Sequence, residues 1–474
     1  MKKTKRFLAI LLAAAMLVPM TVGCSNSGEA EGGTSGGGTA DGGSGAKPVV
    51  RMVVPGISEQ STTDPISGLT SLGLGDFEKF LEEKIPDVDI NLISIPWDGW
   101  IQKIEAMSTA NEMDVAFFTN QVAVPDWYMD LTPYLEKDPD VNFDNLSEWF
   151  LEPAVHYTTY KSFNYPEATG KVYGLPLTMA CNSIVYDKQL FEDWGVEEPQ
   201  PDDTMDDLIA KAAQMTGTNP KTGKTNYGAY ATSMWMEWYA ISYDAVKPYS
   251  SDTMMLNELD MDEYVNYIKD SDEVLNYFKG METIVANSPE GIATSTGAEK
   301  FYTEDNDIAI NFDTNTVSSS VMKYIYAEKT DVTERFIPIT IPTGENGQQG
   351  FPEFFRLAIN KGANDPDTAW KVVKSVVTNK EIVDFYLTNY ASDKISALRD
   401  TEGMSMYDYE YNKVRHEKQM SSVFITDDYW TWRTPLQEVN NLVVSKEITP
   451  EEARTKFYEG VETWVNNTKA QLGQ

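Results

Sequence analysis

Cysteine and histidine are almost missing from this chain: its 474 residues hold two of each, Cys24, Cys181, His156 and His416. Two cysteines make no disulfide framework. Neither histidine has a second His or Cys near it, so zinc spacing is excluded. Basic residues are scarce too, 38 Lys and Arg against 73 Asp and Glu, for a formal charge of −35. A surface of that sign repels phosphate backbones and anionic lipid, which excludes nucleic acid as a partner. Long apolar runs are lacking: Phe7 to Met20 is shorter than the ~20 residues a spanning helix needs. The body has no Gly-x-Ser-x-Gly elbow and no repeat. A phosphate loop is approached only at "GTNPKTGKT" (217–225). There five residues, not four, separate Gly217 from Gly223, and the segment follows a helix, not a strand. It suits an exposed turn. No residue pattern calls for a metal or a cofactor.

What is present begins with a leader. Lys2, Lys3, Lys5 and Arg6 precede the apolar run, the layout of a secretory signal. Thr21-Val22-Gly23-Cys24 follows and resembles the lipobox of bacterial lipoproteins. That resemblance implies cleavage after residue 23 and acyl chains on Cys24, whose burial gains ~0.8 kcal/mol per CH2. Ordinary secretion without lipidation is the alternative. Residues 24–47, rich in Gly and Ser, read as a flexible tether with a reach of roughly 25–30 Å. Membrane contact is then expected through the anchor alone. The body beyond, about 425 residues, exceeds what one hydrophobic core usually serves, so two lobes are expected.

The body alternates short apolar strands with amphipathic helices. "VVRMVVPG" (49–56), "INLISIP" (90–96) and "DVAFF" (114–118) read as strands. Between them Phe77, Phe80, Leu81 and Ile85, then Ile101, Ile104 and Met107, recur at helical spacing. This is a β-α-β-α-β order, the mark of a parallel sheet covered by helices, whose ligands sit at the carboxyl ends of the strands. "DIAINF" (307–312) and "RFIPITIP" (335–342) read as further strands. Thr204 with Asp207, Asp365 before Pro366, and Thr449 with Glu452 are helix-start signals.

Chemical motifs are few. "DPDVNFD" (138–144) resembles part of a calcium loop, but Phe143 stands where such a loop needs Gly and Trp149 where it needs a bidentate acid. It reads as a solvated loop. A glycosidase needs only two carboxylates a set distance apart, and 73 acidic residues neither establish nor exclude such a pair. The aromatic density is more informative. Trp97 and Trp100, then Trp235, Trp238 and Tyr239, then Tyr429, Trp430 and Trp432 beside Arg433, lie in predicted loops among polar residues. Core packing is the plain reading of such clusters; a stacking face for sugar rings is the functional one. "YWTWR" alternates like a surface, not like a helix stripe.

The segment "GKVYGLPLTMACNSIVYDKQLFEDWGVEEPQPDDTMDDLIAKAAQMTG" (170–217) resembles the extracellular solute-binding proteins of carbohydrate-type ABC importers, above all at Tyr186-Asp187-Lys188 and Leu190-Phe191. "DVAFF", "DIAINFDTN" and "DPDTAWKVVKSVVTNKEIVDFY" extend it along the chain, and Gram-positive members use such an anchor and tether. The resemblance implies a two-lobed α/β periplasmic-binding-protein-like fold (type II) with hinge crossovers. Lobe 1 is expected from 48–175 plus 335–392, and lobe 2 from 176–334 plus 393–474. It implies a binding protein, not an enzyme: a monomer capturing an oligosaccharide outside the cell for separate ABC permease subunits. The implied ligand residues are Phe118, Thr119, Asn120 and Gln121 after one strand, Thr178 and Asn182 near the crossover, and Asp313 and Asn315 after another. Trp235, Trp238, Trp430 and Trp432 are the stacking candidates, with Glu59 and Arg433 as polar ones. A surface glycoside hydrolase or lyase, and a peptide-binding importer component, are the competing readings.

Overall fold

The computed structural model describes residues 47–63, 68–118, 124–160, 165–180, 183–231, 239–240, 242–243, 245, 261–290, 300–313, 321–344, 354–419 and 429–472. Lys47–Gln474 forms one unit by its contacts; the expected signal, lipidation site and tether lie outside the described residues, apart from Lys47 at the tether's end. The strands, in chain order, are β1 (Val49–Pro55), β2 (Thr62–Thr63), β3 (Thr70–Ser71), β4 (Asp89–Ile95), β5 (Val115–Phe118), β6 (Leu175–Ala180), β7 (Ser183–Asp187), β8 (Gly217–Thr218), β9 (Thr225–Tyr230), β10 (Ile308–Asn311), β11 (Phe336–Thr340), β12 (Phe354–Ile359) and β13 (Lys394–Ser396).

The expected β-α-β-α-β unit forms. β1 runs parallel to both β4 and β5, with helices Leu74–Lys84 and Trp100–Ala110 as the crossovers. Antiparallel β12, β6 and β13 complete a six-stranded sheet in the order β13-β6-β12-β5-β1-β4. Period-two alternation sorts its side chains into two buried faces. Val50, Met52, Val54, Val115 and Phe117 pack with Phe77, Leu81 and the helices Pro366–Thr378 and Lys380–Tyr390. Val53, Ala116 and Phe118 pack instead with Ile104, Met107, Tyr128 and Tyr160. A sheet buried on both faces needs the near-continuous apolar strands that the sequence has here.

The second sheet has five strands in the order β11-β7-β10-β9-β8. Residues 176–180 of β6, expected with the second lobe, hydrogen-bond in the first sheet, and Phe336–Thr340, expected with the first, in the second. β13, expected at the start of the second lobe's closing segment, pairs with β6 in the first sheet. The chain thus passes between sheets after β6 and again after β11, and beyond β13 its helices Tyr429–Val444 and Pro450–Leu472 pack on the helix Asp272–Ala286. Asp187 staples the second sheet. Its fully buried carboxylate receives Arg335 Nε and Nη2 at 2.9 and 2.7 Å and Asn306 Nδ2 at 2.8 Å. Gly228 in β9 seats the helix Met205–Ala213: a Cβ there would fall 1.8 Å from the Ala212 carbonyl oxygen.

Local signals are realised where expected. Thr204 and Asp207 form a capping box, Asp365 Oδ1 accepts from the Thr368 amide with Pro366 at the first helical position, and Thr449 and Glu452 cap reciprocally. "GTNPKTGKT" is a β8–β9 hairpin turn, in which the Asn219 side chain accepts from the Lys221 and Thr222 amides and Gly223 takes a positive φ of 71°. In the calcium-like stretch, Asp138 spends its oxygens on protein partners: Lys374 Nζ at 2.9 Å, Trp370 Nε1 at 2.8 Å and the amides of Asp140 and Val141. "YWTWR" differs from expectation. From Tyr429 it opens the helix Tyr429–Val444, not a loop. Leu436, Val439 and Val443 bury one side of that helix, and Pro435 fits the gap left by Gly460 on the helix Pro450–Leu472. Among the described residues no helix is long and apolar enough to cross a membrane.

Candidate functional site

The site is built on the carboxyl ends of the first sheet's parallel strands. There β1 and β4 are laced together: the Gly56 amide donates to the Ile95 carbonyl at 2.8 Å, and Ser94 Oγ donates to the Ile57 carbonyl. Trp97 follows β4 and is 47% exposed, one of three large apolar side chains so open among the described residues. Its ring is held edge-on by Trp100 at 5.8 Å and by Phe355 at 5.6 Å, both buried. Gly56 lies beneath it at φ +75°, and a Cβ at that position would fall 2.0 Å from the indole nitrogen. β12 runs antiparallel to β5, which brings Phe355 to this same end of the sheet.

Charge stands beside the aromatic group. Lys394 Nζ lies 4.9 Å from the Phe355 ring centre and 2.7 Å from the Asp393 carboxylate. Burial pushes the Asp393 carboxyl up, but the Lys394 ammonium and the Arg415 guanidinium outweigh it and hold the group below the ordinary carboxylate value.

In the second sheet β9 and β10 end side by side. The Phe312 amide donates to the Tyr230 carbonyl at 2.6 Å, and the buried Asn311 side chain accepts from the Asp313 amide at 3.0 Å. Tyr239 donates its hydroxyl to the Phe312 carbonyl; burial, then the neighbouring Asp313 charge, pushes that phenol well up. Asp313 itself is 5% exposed. The helix Glu410–Gln419 touches both sheets. Toward the first, His416 Nε2 is 3.0 Å from the Leu398 carbonyl and Tyr407 stacks edge-on against His416. Toward the second, Tyr411 bonds Ser183 and Lys418 Nζ reaches Thr340 Oγ1 at 2.6 Å.

The sequence-predicted residues divide into three groups. Glu59 is exposed in the segment after β1, and Asp313 sits at the end of β10. Phe118 and Thr178 are fully buried. The Phe118 ring is closed in by Tyr128 at 5.0 Å and by the Arg356 guanidinium at 4.4 Å, while the Thr178 hydroxyl finds no partner among the described residues. Cys24, Thr119, Asn120, Gln121, Cys181, Asn182, Trp235, Trp238 and Asn315 lie outside the described residues, as do the side chains of Trp430, Trp432 and Arg433. Phe355, Lys394 and Asp393 were not singled out by sequence. Their signal is the pairing of a late strand with an early one, which no local pattern carries.

Two α/β lobes, each with strand ends beside a shared hinge region, define a two-lobed binding protein of the periplasmic type. Residues 60–382 match the family described as bacterial extracellular solute-binding protein, and the chain belongs to that family. A binding protein of Brucella abortus is 26% identical over 160 residues, covering 32% of this chain and 33% of that protein's length. Among solved structures, an ABC substrate-binding protein of Listeria monocytogenes in complex with cycloalternan matches with a TM-score of 0.64 at 16% identity, covering 89% of this chain and 100% of that one. The sugar-binding protein MalE of Xanthomonas citri matches with a TM-score of 0.65 at 14% identity, over 90% and 99%. The GacH receptor of Streptomyces glaucescens, solved unliganded and with acarbose, matches with a TM-score of 0.62 at 16% identity, over 87% and 97%. At these identities the likeness is one of fold.

Proposed function

We propose that this protein is the receptor of an ABC importer that takes up an oligosaccharide, or a related polyhydroxylated solute, in the cleft between its lobes. Acyl chains on Cys24 hold it at the outer face of the cell membrane, and residues 24–47 give it reach. It works as a monomer, turns over no substrate, and hands its ligand to permease subunits that are separate chains. Glu59, Asn120, Gln121, Asn182, Asp313 and Asn315 offer hydrogen bonds to hydroxyls, with Arg433. Trp235, Trp238, Trp430 and Trp432 offer stacking faces, and Phe118 and Thr178 support the first lobe's strand ends from within. The observation that carries this reading is an open indole beside a charged pair at the strand ends of a solute-binding fold. Solved proteins of like fold include complexes with cycloalternan and with acarbose.

The test is a thermal-shift screen of residues 47–474 against oligosaccharides of several linkages, with peptides and polyamines beside them. A ligand at 100 times its Kd adds about 2.7 kcal/mol, read at roughly 2–4 °C per kcal/mol in domains of about 150–250 residues. A shift with one sugar series, the sugar recovered intact, is the expected outcome. A shift with peptides alone overturns the carbohydrate assignment, and a sugar recovered in pieces overturns the receptor assignment.

A further inference from the structure

Trp97 leaves β4, the edge strand of the first sheet, yet its ring lies 5.6 Å from that of Phe355 on β12. Two strands, β1 and β5, stand between β4 and β12. At ~4.8 Å per strand the two backbones are about 14 Å apart, so the indole must lie across the carboxyl ends of the intervening strands. That is where ligands of such sheets bind.

Three further observations point the same way. The indole's seat is prepared: Gly56, at positive φ, leaves a space that any side chain would fill. The ring is held by buried Trp100 and Phe355, yet nearly half its surface stays open. A core tryptophan would be covered, and an incidental surface one would not be buttressed on two sides. Phe118, which ends β5 at this same edge, is closed in by Tyr128 and Arg356 and offers no face.

We infer that Trp97 is the first lobe's stacking platform and a specificity-determining residue of the site, an inference that rests on the carbohydrate-receptor reading above. Its partner is the apolar face of a neutral pyranose ring. A fixed indole selects rings whose axial positions on one face carry hydrogens only, because an axial hydroxyl would hold the ring away from it and go unsatisfied against it. Lys394 and Asp393, paired with each other and largely buried behind Phe355, are the charged groups nearest this seat that the contacts connect to it. Because the indole is ordered before the sugar arrives, little side-chain entropy is lost on binding.

The experiment uses the untethered body and three probes, maltodextrins, cellodextrins and galacto-oligosaccharides, titrated calorimetrically into wild type, Trp97→Ala and Trp97→Phe. At least one of these series is expected to bind wild type, since each offers a ring face whose axial positions carry hydrogens only. Trp97→Ala should raise its Kd about tenfold or more, the usual scale for a buried aromatic anchor, with the ligand-free Tm unchanged. Trp97→Phe should recover most of the loss, and the sugar should protect Trp97 from oxidation by N-bromosuccinimide. If wild type binds a series and Trp97→Ala, with normal Tm, binds it equally well, this inference fails and the receptor reading stands. If wild type binds no sugar and shifts only with peptides, the receptor reading fails and takes this one with it.

Discussion

Asp138 shows how one residue changes meaning between sequence and structure. By spacing it opens a calcium-like loop; in the fold its carboxylate is a buried hub for Lys374, Trp370 and two backbone amides. Burial alone would raise its pKa, but Lys374, the Val141 amide and Trp370 outweigh that and lower it to about 2. A carboxyl held below its unfolded value stabilises the fold above that value, and the stabilisation is lost as pH falls toward the folded one. Asp138→Asn should therefore cost on the order of 2 kcal/mol at neutral pH, and the Tm gap from wild type should close between about pH 4 and pH 2. A gap that stays constant with pH would mean that the charge contributes nothing. Phe118 is the converse case. It ends a strand, which made it a ligand candidate, but strand alternation puts it on the buried face under Tyr128 and Arg356. Arg356 comes from a distant strand, so no local pattern announced that closure.

Elements were legible where their causes are local. Capping boxes, the proline at a first helical turn and the apolar strands of a doubly covered sheet are each written within about ten residues of sequence, and they form as read. The helix Tyr429–Val444 was not legible, because its start carries aromatic alternation and an internal Pro435. Its packing on Gly460 decides the matter, and that contact is tertiary. The Asp187 staple is also tertiary, joining β7 to the residue before β11 and to Asn306 before β10. Removing one partner of a buried pair leaves an uncompensated charge, which costs ~3–5 kcal/mol. Arg335→Ala should lower stability by that order in urea unfolding, while Arg335→Ala with Asp187→Asn should recover part of it. A loss under about 1 kcal/mol for the single variant would place the pair with ordinary surface bridges.

At the scale of the whole molecule the question is which contacts a change of lobe angle would disturb. Two-lobed binding proteins close by hinge motion, in which a few residues at the pivot move little while the mouth moves far. A ligand shifts that equilibrium only through contacts that differ between the two states. The helix Glu410–Gln419 lies at the crossovers, tied to the first sheet's segment through His416 and Leu398 and to the second through Tyr411–Ser183 and Lys418–Thr340. Ser183 and Thr340 are themselves register partners at the start of β7 and the end of β11. Contacts so near the pivot should persist in open and closed forms alike, and so bear on stability and not on affinity. Lys418→Ala is therefore expected to lower the ligand-free Tm while leaving the sugar Kd within about twofold of wild type, since equal loss in both states shifts no population. Trp97→Ala, at the strand ends, should do the reverse. Calorimetry and thermal unfolding of the two variants side by side would distinguish pivot from mouth. A Lys418→Ala protein with normal Tm and a Kd changed tenfold would mean that this contact exists in one state alone, which would move the pivot away from the helix.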